Sequence, residues 1–442
     1  MQWARNISQS VYIGWNIGKY TGGMGLSFIR IQGLHRLQGE VGIQGSKNAV
    51  LPVMAAALLH SGTIVITNVP NIQDVFCMMG ILEYMGCRCQ MEGHTLVMDT
   101  RGLVPVAIPE GRVKQMRSSV MLLGPLLGRL GEAKTCHPGG CSIGKRPIDL
   151  HLWALREMGA DIRVEGEKIT ASATGLQGAR LSLPFPSVGA TENAIMAAVA
   201  AKGVTTIHGA AREPEIEVLC RFLTSLGAEV FGIGTSVLSI NGRRPLKDGE
   251  FAVPGDRIVA GTYLGAVMAA GGEAVLSGAP VSHMGETLAV ARKMGCGLEV
   301  QGNQVRARMR GRPRPVKLCT GPYPAFSTDL QSVTLAVASV AEGGSKIRED
   351  IFEERFATAR QLQKMGAHII IDGGTAQVEG VFPLMGSRVQ AADLRGGAAL
   401  VVAALAAEGA SEIRGYSHIS RGYEDICRDL ASIGGRLVLE EP

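Results

Sequence analysis

Apolar and polar positions along this chain fall into a block that returns six times. Each block contains a helix-period segment, a turn with glycine, and a stretch that alternates at period two, as strands do. The segments are LEYMGCRCQM, LREMGADIRV, LTSLGAEVFG, ARKMGCGLEV, LQKMGAHIII and LASIGGRLVL. Their turn glycines are Gly86, Gly159, Gly227, Gly295, Gly366 and Gly434, separated by 73, 68, 68, 71 and 68 residues. A second pattern runs in phase: an Ala-rich segment, a glycine, then a short strand, as in AAALLHSGTIVI or MAAVAAKGVTTI. Each block therefore predicts two helices and several strands. Helices apolar nearly all round are expected inside, with sheets packed outside them.

Units near 70 residues are too long for an ordinary solenoid, and six of them suit two domains of three repeats each. A length of 442 residues also favours two cores over one. The stretch GRRPLKDGEFAVPGDR at 242–257 is the candidate crossing between domains. Residues 1–24 carry no repeat and are expected to be an extension, with Met24 as the functional start.

A formal charge of +5 with basic residues read as scattered predicts small anionic substrates rather than nucleic acid. No apolar run approaches the roughly 20 residues of a membrane helix, so no membrane partner is expected. Nine cysteines without disulfide-like spacing and a start without signal-peptide character predict a reduced, cytoplasmic protein. Cys87-x-Cys89 lacks a second pair or nearby His to complete a metal site.

The loop CHPGGCSIGKRPIDL at 136–150 holds Cys141 among glycines, with Lys145 and Arg146 close by. Nearby cations favour a thiolate, so this cysteine reads as reactive rather than as packing. Gly139, Gly144 and Lys145 nearly match a P-loop, but Arg146 stands where Ser or Thr should hold magnesium. In QGSKNAVLP, Gly45 and Ser46 open an apolar helix at Lys47 and Asn48, which is either an anion site or a capped helix with a solvated lysine. Arg117, the pair Asp393 and Arg395, and Arg421 also stand at helix openings, and converging cations there can hold phosphate. Asp329 precedes another Ala-rich helix, where an N-terminal cap is the simplest role.

Taken together, GSKNAVLP, MRSSVMLLGPLL, PGGCSIGKRPIDLHL, PSVGATENA, AREPEIEVL, PGDRIVAGTYL, PAFSTDLQ, FEERF, ADLRGG and SRGYEDI resemble the enolpyruvyl transferase family, in its UDP-N-acetylglucosamine 1-carboxyvinyltransferase branch. The resemblance spans about residues 26–442 in order. It implies an α/β fold, the inside-out α/β barrel: two domains, each of three pseudo-repeats with helices inside and sheets outside. It implies a discontinuous domain of 26–45 plus 255–442, a second domain of 46–254 carrying the Cys141 loop, and an unmatched extension of 1–25.

The implied reaction moves the enolpyruvyl group of phosphoenolpyruvate to the 3′-hydroxyl of UDP-N-acetylglucosamine by addition and elimination of phosphate, the first committed step of peptidoglycan and cell-wall synthesis. By motif match, Cys141 is the general acid and Asp329 takes the hydroxyl proton. Lys47, Arg146 and Arg421 hold phosphoenolpyruvate, with Asp393 and Arg395 nearby. Asn48, Arg117, Pro147, Ile148, Asp149, Leu150, Ser187, Val188, Gly189 and Ile351 match acceptor contacts. No metal or organic cofactor is implied, and oligomeric state is not legible. Phe185 stands where some members carry lysine, which puts one nucleotide contact in doubt. Cys141 also implies alkylation by fosfomycin. The rival readings are a 5-enolpyruvylshikimate-3-phosphate synthase, which lacks the cysteine loop, and a non-catalytic paralogue that binds the UDP-sugar.

Overall fold

A computed structural model describes residues 27–138, 144 and 147–441. All six turn glycines adopt positive φ, between 88° and 112°. Each donates its N–H to a carbonyl three residues back, as Gly86 does to Glu83 and Gly434 to Ala431. This conformation costs glycine nothing, and it turns each outer helix into its following strand.

The Ala-rich segments form six inner helices: α1 (Lys47–Ala56), α2 (Leu123–Leu130), α3 (Val188–Ala200), α4 (Arg257–Ala270), α5 (Gln331–Ser339) and α6 (Leu394–Leu405). Their residues are buried on nearly every face; Ala49 to Ala56 of α1 are buried without interruption. Small residues permit the close packing. A Cβ on Gly124 of α2 would sit 2.6 Å from the carbonyl oxygen of Asn193 on α3. Asn193 ties α3 to α2 by accepting from the Gly124 N–H at 2.8 Å, and to the 3-10 turn that precedes α2 by donating to the Val120 carbonyl at 2.9 Å.

Among the described residues there are five four-stranded sheets, one three-stranded sheet and one two-stranded sheet. In one of them Gly249–Ala252 pairs parallel with Thr63–Thr67, which pairs antiparallel with Thr95–Asp99. Two apolar cores result. The first draws on residues from Ala49 to Val253. The second joins Ile29–Ile43 to residues from Ile258 to Ile433. The early strand Phe28–Gln32 lies between Ala410–Arg414 and the last strand, Arg436–Glu440.

The chain passes between the cores along two adjacent segments. Gly45 and Gly255 form an antiparallel bridge, Ser46 N–H donates to the Pro254 carbonyl, and Asp256 N–H donates to the Gln44 carbonyl. Asp256 caps α4 by accepting from Ile258 and Val259, and its other oxygen accepts from the Lys47 N–H at 3.0 Å. One buried carboxylate thus caps inner helices of both cores. Ser46, at the capping position of α1, makes no such side-chain bond. Among the described residues no helix is long and apolar enough to cross a membrane.

Candidate active site

The predicted residues gather where inner helices of the two cores begin. Helix N-termini carry partial positive charge, so their convergence favours anions. Asp329 lies in a short 3-10 turn, Thr328–Leu330, that opens α5. It is not the cap expected from its position: Ser327 caps the turn, accepting from the Asp329 N–H. The carboxylate is left free to meet side chains. Arg355 reaches one oxygen at 2.7 Å and Arg395, from the start of α6, reaches the other at 2.9 Å. Asn48, at the start of α1 in the opposite core, donates to it at 3.4 Å. The Asp329 side chain stays 25% exposed, while those of Arg355 and Arg395 are 2% and 6% exposed. Burial would raise the Asp329 pKa, but the charges of Arg395 and Arg355 outweigh it and hold the carboxyl well below the usual range.

A second carboxylate organises Lys47 and Arg421. Asp74 bonds Lys47 Nζ at 3.0 Å and Arg421 Nε at 2.9 Å. Lys47 is therefore not a solvated lysine; its side chain is 12% exposed. Burial opposes ionisation of Asp74, yet Lys47 and Arg421 overcome it and lower the pKa. Beside these clusters Arg257 forms a two-pronged bond to Glu215, at 3.0 and 3.2 Å, from one core to the other.

Other predicted residues line the same openings. Asp393 caps α6 through the N–H groups of Arg395 and Gly396, which fixes the helix that carries Arg395. Ser187 caps α3, and Val188 and Gly189 form its first residues. Pro147, Ile148, Asp149 and Leu150 lead into the helix Asp149–Glu157. These two segments meet at His151: a Cβ on Gly189 would sit 2.8 Å from its ring, and its Nδ1 pairs with Asn193 at 2.8 Å. Arg117 opens a 3-10 helix that leads into α2. Ile351 and Phe352 donate their N–H groups to Glu349, which also accepts from the Thr328 hydroxyl. Phe185 is exposed, 47%, just before α3. Cys141 and Arg146 lie outside the described residues.

Sequence reasoning missed Arg355, Asp74, Asp256, Glu349 and His151 as members of this region. Arg355, His151 and Asp256 sat inside recognised motifs, FEERF, PIDLHL and PGDRIVAGTYL, without a task assigned to them. A charge set directly before an apolar residue, as Arg355 before Phe356 and Asp74 before Val75, was the available signal.

The family model of EPSP synthase (3-phosphoshikimate 1-carboxyvinyltransferase) matches residues 31–430. The UDP-N-acetylglucosamine 1-carboxyvinyltransferase 2 of Caldanaerobacter subterraneus subsp. tengcongensis is 42% identical over 410 residues, 92% of this chain and 98% of the relative. The chain belongs to the UDP-N-acetylglucosamine 1-carboxyvinyltransferase family. The carboxyvinyltransferase of that name from Sorangium cellulosum is 43% identical over 408 residues, 92% of this chain and 97% of its own. Solved structures match in fold: the enolpyruvyl transferase NikO of Streptomyces tendae has a TM-score of 0.86 at 24% identity, covering 94% of this chain and 99% of its own. EPSP synthase of Acinetobacter baumannii has a TM-score of 0.72 at 19% identity, covering 94% and 100%. The inside-out α/β barrel expected of a carboxyvinyltransferase is therefore the fold of this chain.

Proposed function

We propose that this transferase moves the enolpyruvyl group of phosphoenolpyruvate to the 3′-hydroxyl of UDP-N-acetylglucosamine and releases phosphate. The observation that carries the reading is Asp329, a partly exposed carboxylate held by Arg355 and Arg395, which also meets Asn48, the chain neighbour of the Lys47 that pairs with Asp74 beside Arg421. Two polyanionic substrates need such cations, and a hydroxyl nucleophile needs an acceptor for its proton. Asp329 is a weak base while both arginines hold it. An incoming phosphate or carboxylate would draw Arg395 toward itself and raise the proton affinity of Asp329, which couples donor binding to base strength. In this reading Cys141 protonates the methylene carbon. The sugar oxygen then bonds to the central carbon. Loss of inorganic phosphate, with a methyl proton, restores the enol ether.

The same reading divides the chain into 26–45 plus 255–442 and 46–254, in line with the two apolar cores. It places the protein in the cytoplasm, at the entry to peptidoglycan and cell-wall synthesis, as a target of fosfomycin. Phosphate release with UDP-N-acetylglucosamine or shikimate 3-phosphate as acceptor tests it. Turnover with the UDP-sugar, stopped by fosfomycin, is expected. Turnover only with shikimate 3-phosphate would favour the 3-phosphoshikimate 1-carboxyvinyltransferase activity instead. Sugar binding by calorimetry without phosphate release would mark a non-catalytic relative.

A further inference from the structure

The scatter of cations read along the chain fails at one stretch: positions 306, 308, 310, 312, 314 and 317 are all basic. The strand Gln304–Met309 buries Val305, Ala307 and Met309, so Arg306 and Arg308 face outward. Both have partners there. Arg306 pairs with Glu273 at 2.9 Å, and Arg308 lies 3.7 Å from both Glu273 and Glu299. Arg312 is also occupied: it donates to the Val340 carbonyl at 3.0 Å, at the C-terminal end of α5, and to the Gly380 carbonyl at 3.1 Å, just past the strand Thr375–Glu379. Cations at a helix C-terminus complement its dipole, and Arg312 performs that task.

Arg310 and Arg314 are different. Both are exposed, and among the described residues neither has an ion pair or a side-chain hydrogen bond. They line a shallow surface pocket of about 470 Å³, open to solvent, with Arg308, Arg312 and a single acid, Glu342. Met309 and the glycines Gly295, Gly297 and Gly311 complete the wall. A Cβ at Gly311 would meet nothing within 4 Å, so the backbone there is open to a ligand. The pocket lies beyond the far end of α5 from Asp329. Nine helical residues separate them, roughly 14 Å at 1.5 Å per residue. The transfer chemistry has no use for cations there.

We propose that this pocket is a second anion site, built for a small polyphosphate, either free or carried by a nucleotide. Planar guanidinium groups with unused donors suit phosphate oxygens. The volume falls in the range of small-molecule pockets and exceeds what one phosphate fills. Two unpartnered arginines beside two partly committed ones match a chain of phosphates better than a single anion.

Calorimetry on the full chain with inorganic triphosphate, ATP and citrate tests the site. Lys47→Ala and the double variant Arg310→Ala/Arg314→Ala separate the cleft from the pocket. Triphosphate binding is expected to weaken at least about ten-fold in the double variant. It should persist in Lys47→Ala, and transferase turnover of the double variant should stay at the wild-type level. Tighter binding of ATP than of triphosphate would assign a nucleotide, and equal binding would assign the polyphosphate itself. Unchanged affinity in the double variant, no binding of triphosphate by the wild type, or equally tight citrate would each overturn the proposal.

Discussion

Asp329 and Asp74 are built alike and placed differently. Each carboxylate holds two cations, and each is kept ionised against burial. The cations of Asp329, Arg355 and Arg395, both belong to the second core's part of the chain. Those of Asp74 come from both sides: Lys47 from its own part, Arg421 from the other. The Asp74 side chain is 3% exposed, whereas Asp329 keeps 25% open. A sealed carboxylate that joins two bodies holds geometry. An open one whose partners are already in place can meet a substrate. In the proposed reaction Asp74 is accordingly a clamp and Asp329 the reacting group.

The comparison can be sharpened by residues outside both clusters. Cys141→Ser should lower kcat by about 10²–10⁴-fold while UDP-sugar binding persists, since proton transfer by a positioned acid is worth that much. A near-normal kcat would remove Cys141 as the donor. Cys141→Asp should keep activity and escape fosfomycin; continued inhibition would mean that another group is alkylated.

Asp74→Asn should come next in size. It leaves Lys47 and Arg421 facing each other without their carboxylate. Breaking a buried pair costs about 3–5 kcal/mol, and less here because Arg421 is a third exposed, so about 2–3 kcal/mol is expected. The KM for phosphoenolpyruvate should rise more than kcat falls. Because the folded pKa of Asp74 is lowered, its contribution is full above the ordinary value near 3.8 and fades as pH falls below it. Urea midpoints of wild type and variant should therefore differ at pH 7 and approach each other as the pH falls below 3.8. A gap of constant size would show that Asp74 acts by packing alone.

The smallest effect is expected at Glu192, buried on α3 beside Glu213 and Glu215. Burial, with those two like charges, raises its pKa well above the ordinary 4.5. An acid with a raised folded pKa costs stability as pH climbs from 4.5 toward that value. Glu192→Gln should thus gain on the wild type in melting temperature between pH 5 and pH 8. A pH-independent difference would contradict a neutral Glu192.

The repeat architecture was legible because it is written in period and punctuation. Six glycines at near-equal spacing require six similar turns, and all six take the positive φ that glycine favours. Runs of alanine with no polar face can only be buried. The helix openings that form the site were legible for the same reason, since each stands at a fixed place in its block. The partners were not. Asp74 and Arg355 look in sequence like ordinary charges near helix starts, and only the closure of one core on the other, or of one turn on the next, removes them from water. Asp329 shows the limit well: its position suggested a cap, but Ser327 two residues earlier takes that bond and frees the carboxylate.

The most direct measurement compares kcat and KM of Asp329→Asn and Asp74→Asn at saturating UDP-N-acetylglucosamine and phosphoenolpyruvate. Asp329→Asn should lose about 10²–10⁴-fold in kcat with acceptor binding retained, while Asp74→Asn should recover most of its rate at high phosphoenolpyruvate. A near-wild-type kcat for Asp329→Asn, or a kcat loss in Asp74→Asn as large as that of Asp329→Asn, would contradict the division of labour between the two carboxylates.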